Sequence, residues 1–169
     1  MSILDRINSP SDMKSLNIDE LEILCDDIAS LIDTTIKKHG GHYSSPLGVI
    51  ELTIALHYVY NTPKDKIIWD VGHQAYPHKI LTGRREQFLK IRKLNEISGF
   101  LKMDESPYDC YGAGHTSTSI SAALGFSHMR DKNKTNEKVL AVIGDGANDA
   151  PSFTTTGDTS ATEDSAYSY

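Results

Sequence analysis

The sequence predicts an α/β fold, a parallel sheet with flanking helices. Two continuous apolar runs, Lys66–Trp69 and 139–143, have the length and composition of buried strands. Each run is followed at once by a turn that contains glycine, and helical stretches separate the two runs. Apolar strands joined through helices are typical of parallel sheets that are covered on both faces. We therefore expect functional side chains at the carboxyl ends of the two strands.

The first helix is predicted over Ile18–His39, where apolar residues recur at helical spacing. Asn17 and Glu20 have the spacing of a capping box, and Gly40 follows the last turn. A second helix is predicted over 47–60, with Ser45 as its N-cap. That helix is apolar on nearly every side, so we expect it to be buried.

Further helical stretches are predicted over 77–81 and 85–93 and are followed by a turn-rich segment over 95–114. The last predicted helix covers 116–129 and is rich in serine, alanine and glycine. A face of such small residues allows another backbone to approach closely.

Charge is distributed unevenly along the 169 residues, whose net charge is −6. Residues 139–169 contain no lysine or arginine and five acidic residues, whereas the preceding 138 residues are nearly neutral. The acidic balance argues against binding of nucleic acid through its phosphates. No segment has the roughly 20 apolar residues of a membrane span, and no signal peptide is recognisable. Two distant cysteines fit a reducing compartment such as the cytoplasm.

The first chemical motif follows the second strand, where Asp145 lies between two glycines. Mg²⁺ prefers oxygen ligands and often bridges a carboxylate to substrate phosphates. Glycines beside the carboxylate allow the backbone to approach a diphosphate. An ordinary turn after a strand is the alternative interpretation.

Histidines in loops form the second motif: His42, His73, His78 and His115 all lie near glycine or proline. Imidazole is suited to proton transfer near neutral pH, although a single loop histidine is more often a surface residue. His57 and His128 lie inside predicted helices and are interpreted as structural.

The third motif is the sequence GHTSTS at residues 114–119, which enters the last predicted helix. Free N–H groups and hydroxyls at a helix start can bind an anion. Ordinary capping by Thr116 or Ser117 is the alternative.

Four segments together resemble 1-deoxy-D-xylulose-5-phosphate synthase, a thiamine-diphosphate-dependent enzyme similar to transketolase. They are residues 41–63, with GH at 41–42, LG at 47–48, ELT at 51–53 and LHYVYNTP at 56–63, then IWDVGHQAYPHKILTGR at 68–84, GHTSTSISA at 114–122 and VIGDGA at 142–147. The resemblance covers residues 1–147, which would form a partial cofactor-binding domain. Residues 148–169 resemble nothing in the family; nine of the last 19 residues are serine or threonine, a composition that predicts disorder.

The resemblance implies a reaction in which pyruvate condenses with glyceraldehyde 3-phosphate and carbon dioxide is lost. It also implies the cofactors thiamine diphosphate and Mg²⁺, a homodimer and a cytoplasmic enzyme. The residues it implicates are His42 in catalysis, Asp145 as a metal ligand, and His73, Gly114, His115, Thr116, Gly146 and Ala147 at the cofactor. Most family members have serine in place of Thr116, which keeps the hydroxyl group.

The family pattern requires a second metal ligand, an asparagine well downstream of Asp145, and the sequence after Gly146 offers only Asn148. We therefore expect a shortened chain, produced by a frameshift or a fusion, that is inactive alone. A non-catalytic module that binds the cofactor diphosphate or pairs with another subunit is the alternative. Residues 144–151 also resemble the hinge of cation-pumping ATPases, a match of eight residues that we interpret as coincidence or a recombination scar.

Overall fold

The structure, a computed structural model, describes residues 2–112 and 114–144. Two short 3-10 turns, Leu4–Arg6 and Pro10–Ser15, precede the first helix. The main elements in chain order are α1 (Ile18–His39), α2 (Ser44–Leu47), α3 (Ile50–Val59), β1 (Lys66–Trp69), α4 (Tyr76–Lys79), a π-helical turn (Ile80–Arg84), α5 (Arg85–Phe88), α6 (Ser119–Asn133) and β2 (Val139–Val142). No helix within these described ranges is both long enough and apolar enough to cross a bilayer.

The sheet consists of β1 and β2, which pair in parallel from Lys66 opposite Val139 to Trp69 opposite Val142. The N–H of Asp70 donates to the carbonyl of Val142 at 2.9 Å and closes the ladder. This arrangement confirms the predicted α/β class, and it brings the carboxyl ends of both strands to the same edge.

Helix α1 has the predicted bounds and the predicted cap. The side chain of Asn17 accepts from the N–H of Glu20 at 2.9 Å, and Glu20 accepts from the N–H of Asn17 at 3.1 Å. At the other end, Gly40 adopts a φ of 74°, a conformation that glycine reaches without steric cost. The local signals were sufficient here because every one of these contacts lies within four residues.

The helix predicted over 47–60 forms only over Ile50–Val59, and the predictions of its start, its cap and its full burial were wrong. The chain forms α2 and then α3, and no side chain caps α2. Helix α3 buries Ile54 and His57, whereas Leu52 and Val59 are 45% and 65% exposed. Apolar composition on all sides makes burial favourable, but neighbouring elements among the described residues cover only one side of this helix.

The main core lies between α1, α3 and the segment from Tyr76 to Ile91. Its buried apolar residues include Leu24, Ile28 and Ile32 from α1 together with Tyr76, Ile80, Leu81 and Phe88. A smaller cluster beneath the sheet contains Ile67, Trp69, Ala75 and Leu101.

Three predicted helix boundaries were also wrong. The helix expected to reach residue 93 ends at Phe88. The last helix begins at Ser119 and not at Thr116, because Ser117 has a φ of 64° and the preceding residues form a turn. The helix then continues to Asn133, four residues beyond the predicted end, where Lys134 adopts the left-handed conformation.

Candidate functional site

Asp70 occupies the edge of the sheet where both strands end, and the residue is 2% exposed. It accepts hydrogen bonds from the N–H groups of Ser117 at 2.9 Å and Ser119 at 3.2 Å, and from the hydroxyl of Thr116 at 3.1 Å. Burial acts to raise the pKa of Asp70, but these hydrogen bonds outweigh it and lower the pKa. The N–H groups at the start of α6 therefore already bind an anion, which is the carboxylate of Asp70.

This contact bears on the anion site predicted at residues 114–119. Two backbone donors of that turn, the N–H groups of Ser117 and Ser119, are engaged by Asp70, so an external anion would compete with a charged, buried carboxylate for them. Gly114 lies beside this cluster, and a β-carbon added there would meet nothing within 4 Å. His115 is exposed in the bend before α6.

His42 and His73 lie in contact beside the end of β1. The sequence, which places them in separate loops, did not predict this contact. Their ring centroids are 5.1 Å apart and the ring planes meet at 62°. Phe100 packs against His42 on another side, at a centroid distance of 5.4 Å. Two of the predicted site histidines therefore share one partly enclosed position.

Both imidazoles are biased toward the neutral form. Burial lowers the pKa of His42, and the positive charges that His73 and Arg92 can carry lower it further. Burial also lowers the pKa of His73, although the nearby carboxylate of Asp70 opposes the change. A neutral imidazole has one N–H donor and one acceptor nitrogen, so each ring can both donate and accept at neutral pH.

His73 has a feature that fits a bound polar group. Its Nδ1 atom is buried and has no hydrogen-bond partner among the residues that the structure describes. Buried polar atoms are usually paired, so this nitrogen fits a polar ligand group such as one on a cofactor. The histidine end of the predicted cofactor site is thus compatible with the group that the resemblance implies.

The expected metal ligand and the two residues after it belong to another part of the predicted site. Asp145, Gly146 and Ala147 lie outside the described residues. Within residues 2–112 and 114–144, no group of three or more histidine, cysteine or acidic side chains could hold a metal ion. The metal role of Asp145 therefore stays a prediction.

A second cluster, which the sequence did not reveal, is buried between α3, α4 and the loop before α6. His57 Nε2 lies 2.9 Å from His78 Nδ1, and His78 Nε2 lies 3.1 Å from Asp109. Arg84 donates to both oxygens of Asp109, at 2.6 and 2.7 Å. Beside them, buried Lys79 pairs with Glu105. We call this set, His57, His78, Lys79, Arg84, Glu105 and Asp109, the buried polar network.

The buried polar network corrects the interpretation of His78 as a loop histidine, since His78 lies in α4 and is 1% exposed. Burial would raise the pKa of Asp109, but hydrogen bonds from His78 and Arg84 lower it to about 2. An ionised Asp109 must accept from His78 Nε2–H, so His78 Nδ1 accepts from His57. The proton order along the chain of hydrogen bonds is thereby fixed.

The parallel sheet, the flanking helices and the polar strand ends place this chain among the α/β proteins with function at the sheet edge. The family model described as 1-deoxy-D-xylulose-5-phosphate synthase matches residues 4–154. The chain belongs to the 1-deoxy-D-xylulose-5-phosphate synthase family.

Individual relatives agree with this assignment. The 1-deoxy-D-xylulose-5-phosphate synthase of Marinomonas sp. strain MWYL1 is 55% identical over 145 residues, and that of Chlorobium phaeovibrioides is 58% identical over 146 residues. The probable chloroplastic synthase of Capsicum annuum is 56% identical over 145 residues. Each alignment covers 86% of this chain but only 20–23% of the relative, so the chain spans less than a quarter of their length.

Proposed function

We propose that this chain supplies the histidine-bearing part of a transferase that condenses pyruvate with glyceraldehyde 3-phosphate and releases carbon dioxide. The product, 1-deoxy-D-xylulose 5-phosphate, would serve the synthesis of isoprenoids, thiamine and pyridoxal. The observation that carries the proposal is the meeting of His42 and His73 beside β1 in a chain of this family.

The proposed cofactors are thiamine diphosphate and Mg²⁺, and the cofactor when bound would supply the electron sink for loss of carbon dioxide. His42 would exchange protons or hydrogen bonds with substrate, because its lowered pKa keeps it neutral. His73 would contact the cofactor through its buried Nδ1, which has no partner within residues 2–112 and 114–144.

The remaining roles follow from the family resemblance alone. Asp145 would bind Mg²⁺, and Gly146 and Ala147 would lie against the cofactor. Gly114, His115 and Thr116 would line the same site. For Thr116 the role must be compatible with the hydrogen bond that its hydroxyl gives to Asp70.

We further propose that the chain is inactive alone, because it spans less than a quarter of the length of the relatives it matches. The alternative function is a non-catalytic module that binds the cofactor diphosphate or pairs with a longer subunit, as the homodimer implied by the family would allow. A cytoplasmic location is proposed, and Cys25 and Cys110, both free thiols, agree with a reducing compartment. We expect binding to neither nucleic acid nor membranes.

Calorimetry with thiamine diphosphate and Mg²⁺ separates these possibilities. We expect weak heat that disappears in Asp145→Ala and persists in Asp149→Ala, a matched loss of one nearby carboxylate. Tight binding retained in Asp145→Ala would remove that residue from its proposed role. No heat in the unaltered chain would leave only the subunit-pairing module.

A coupled assay with pyruvate and glyceraldehyde 3-phosphate tests inactivity directly. The expected result is turnover no greater than that of the buffer. Turnover above background that depends on His42, and is lost in His42→Gln, would show that the chain is an enzyme by itself.

A further inference from the structure

We propose that Tyr76 is a positioning residue for His42 and that its phenol holds the imidazole in the tautomer that carries the proton on Nε2. This inference rests on the proposed role of His42 in the reaction. It adds Tyr76 as a residue that acts through His42, and it specifies which nitrogen of His42 carries the proton.

Tyr76 is itself firmly held. It is completely buried at the start of α4. Its ring packs edge-to-face on Phe88, with centroids 5.3 Å apart and planes at 65°. It belongs to the main core together with Ile36 and Ile80. A phenol fixed in this way can impose an orientation on a more exposed neighbour.

The loop that carries His42 lies directly against the phenol. A β-carbon added to Gly41 would come within 3.0 Å of the Tyr76 oxygen and 2.9 Å of Ile36 Cδ1. Gly41 also has a φ of 143°, which side chains rarely allow. The close approach therefore requires glycine at position 41. It places the backbone N–H and the Nδ1 atom of His42 near the hydroxyl oxygen of Tyr76.

Two contacts join the residues. The N–H of His42 donates to the Tyr76 oxygen at 3.3 Å. The same oxygen lies 3.4 Å from His42 Nδ1. Among the described residues His42 is the only polar partner of this hydroxyl. The oxygen could accept from an Nδ1–H group through its second lone pair, but its own buried hydroxyl proton would then have no acceptor among the described residues.

The tautomer of His42 follows from this proton count. A neutral imidazole that accepts at Nδ1 carries its proton on Nε2. Burial and the neighbouring positive charges lower the pKa of His42 and favour that neutral form. His42 would then present an N–H donor to a substrate oxygen, and the resting ring would have no free lone pair at Nε2 with which to accept a proton.

Long-range ¹H–¹⁵N spectra of the uniformly labelled 169-residue chain measure the tautomer directly, with His42→Gln assigning the signals. We expect neutral His42 to show a protonated Nε2 and an unprotonated Nδ1. Tyr76→Phe should shift the tautomer ratio by about fivefold toward Nδ1–H, the change expected for loss of one ordinary hydrogen bond.

Tyr58→Phe is the matched control, because Tyr58 also loses a hydroxyl contact, to the carbonyl of Leu16 at 3.3 Å, away from His42. The signals of His57 and His78 serve as an internal reference, since a general disturbance of the core would move them too. Tyr76→Phe spectra with unchanged His42 signals would overturn the proposal.

The unaltered chain decides the matter even where Tyr76→Phe fails to fold. A neutral His42 protonated mainly on Nδ1 would overturn the inference by itself. The spectra need no cofactor and no turnover, so this failure is distinct from failure of the proposed function, which the calorimetry and the assay report.

Discussion

Residues 2–112 and residues 114–144 differ in how much apolar surface they remove from water. In the first region, buried apolar side chains extend from Leu4 to Leu101. In the second region, Ser119 is the only buried residue that the structure describes. Leu124 of α6 is 71% exposed, and every residue of β2 is only half-buried.

The second region is attached to the first through hydrogen bonds and through Leu140 and Val142, which pack against the smaller apolar cluster. The β1–β2 ladder holds one end, Asp70 caps α6, and Asp65 accepts from the N–H of Lys138 at 2.7 Å. Hydrophobic stabilisation grows with the apolar area buried. Regular secondary structure can therefore form without a closed core, and we expect the second region to open at a lower free energy.

The largest expected effect breaks the buried polar network of the first region. Asp109→Asn removes the charge that Arg84 and His78 face, and an uncompensated buried charge costs about 3–5 kcal/mol. Urea unfolding followed by circular dichroism measures the loss. Asp131→Asn is the control, because its pair with Arg130 is exposed and should contribute nothing measurable. Equal losses in the two variants would contradict the comparison.

Leucine truncation in one helix of each region tests the comparison with matched chemistry. Leu24 of α1 is 0% exposed, so Leu24→Ala should cost about 2–5 kcal/mol through lost contacts and a cavity. Leu124→Ala in α6 should change the free energy of unfolding by less than about 0.5 kcal/mol. A large loss from Leu124→Ala would mean that α6 packs against something further.

Acid sensitivity should also reside in the first region. Burial lowers the pKa of His57 and of His78. In acid, these two histidines therefore bind protons more readily in the unfolded chain than in the folded chain. Stability is therefore highest above about pH 6.5, the ordinary histidine pKa, and falls below it as the unfolded chain takes up protons. A further loss begins below about pH 4, since the folded pKa of Asp109 is about 2.

Urea midpoints measured between pH 8 and pH 3 check this profile. His128→Asn, which alters an exposed histidine of α6, should leave the profile unchanged. A flat profile between pH 6.5 and 5.5 would show that the two buried histidines do not resist protonation.

The smallest expected effect is that of Asp70→Asn, which tests whether the second region opens separately from the first. Asp70→Asn weakens the cap on α6 and should cost about 1 kcal/mol. Amide hydrogen exchange should become faster in α6 and remain unchanged in α1. Asp104→Asn, an exposed carboxylate, is the control. Faster exchange in α1 as well would mean that the two regions unfold together.

Local patterns predicted the elements that depend on neighbouring residues. The capping box at Asn17 and Glu20 and the glycine after α1 defined that helix to the residue. The apolar runs predicted both strands, although β2 ends at Val142. The start of α6 was placed three residues early because Asp70, which caps it, lies 49 residues before Ser119 in the chain.

The candidate site likewise contains residues that motifs predicted and contacts that only the structure shows. Motifs identified His42 and His73 as residues of interest, and their contact became visible only in the fold. Tyr76 belonged to a recognised motif but had no assigned role until its oxygen was found against His42. The division of the chain at residue 147 remains a prediction, as do the roles of Asp145, Gly146 and Ala147.

The sequence by itself determined the α/β class, the bounds of α1, the strands and the family, because these depend on periodicity, caps and contiguous motifs. Only the tertiary structure decided what Asp70 holds, which partners His57 and His78 have, and that α3 and α6 each have a face that the described residues leave uncovered. The physical reason is that a buried charge or imidazole is defined by donors and acceptors 21 to 49 residues away. No local pattern records which of these distant groups will meet.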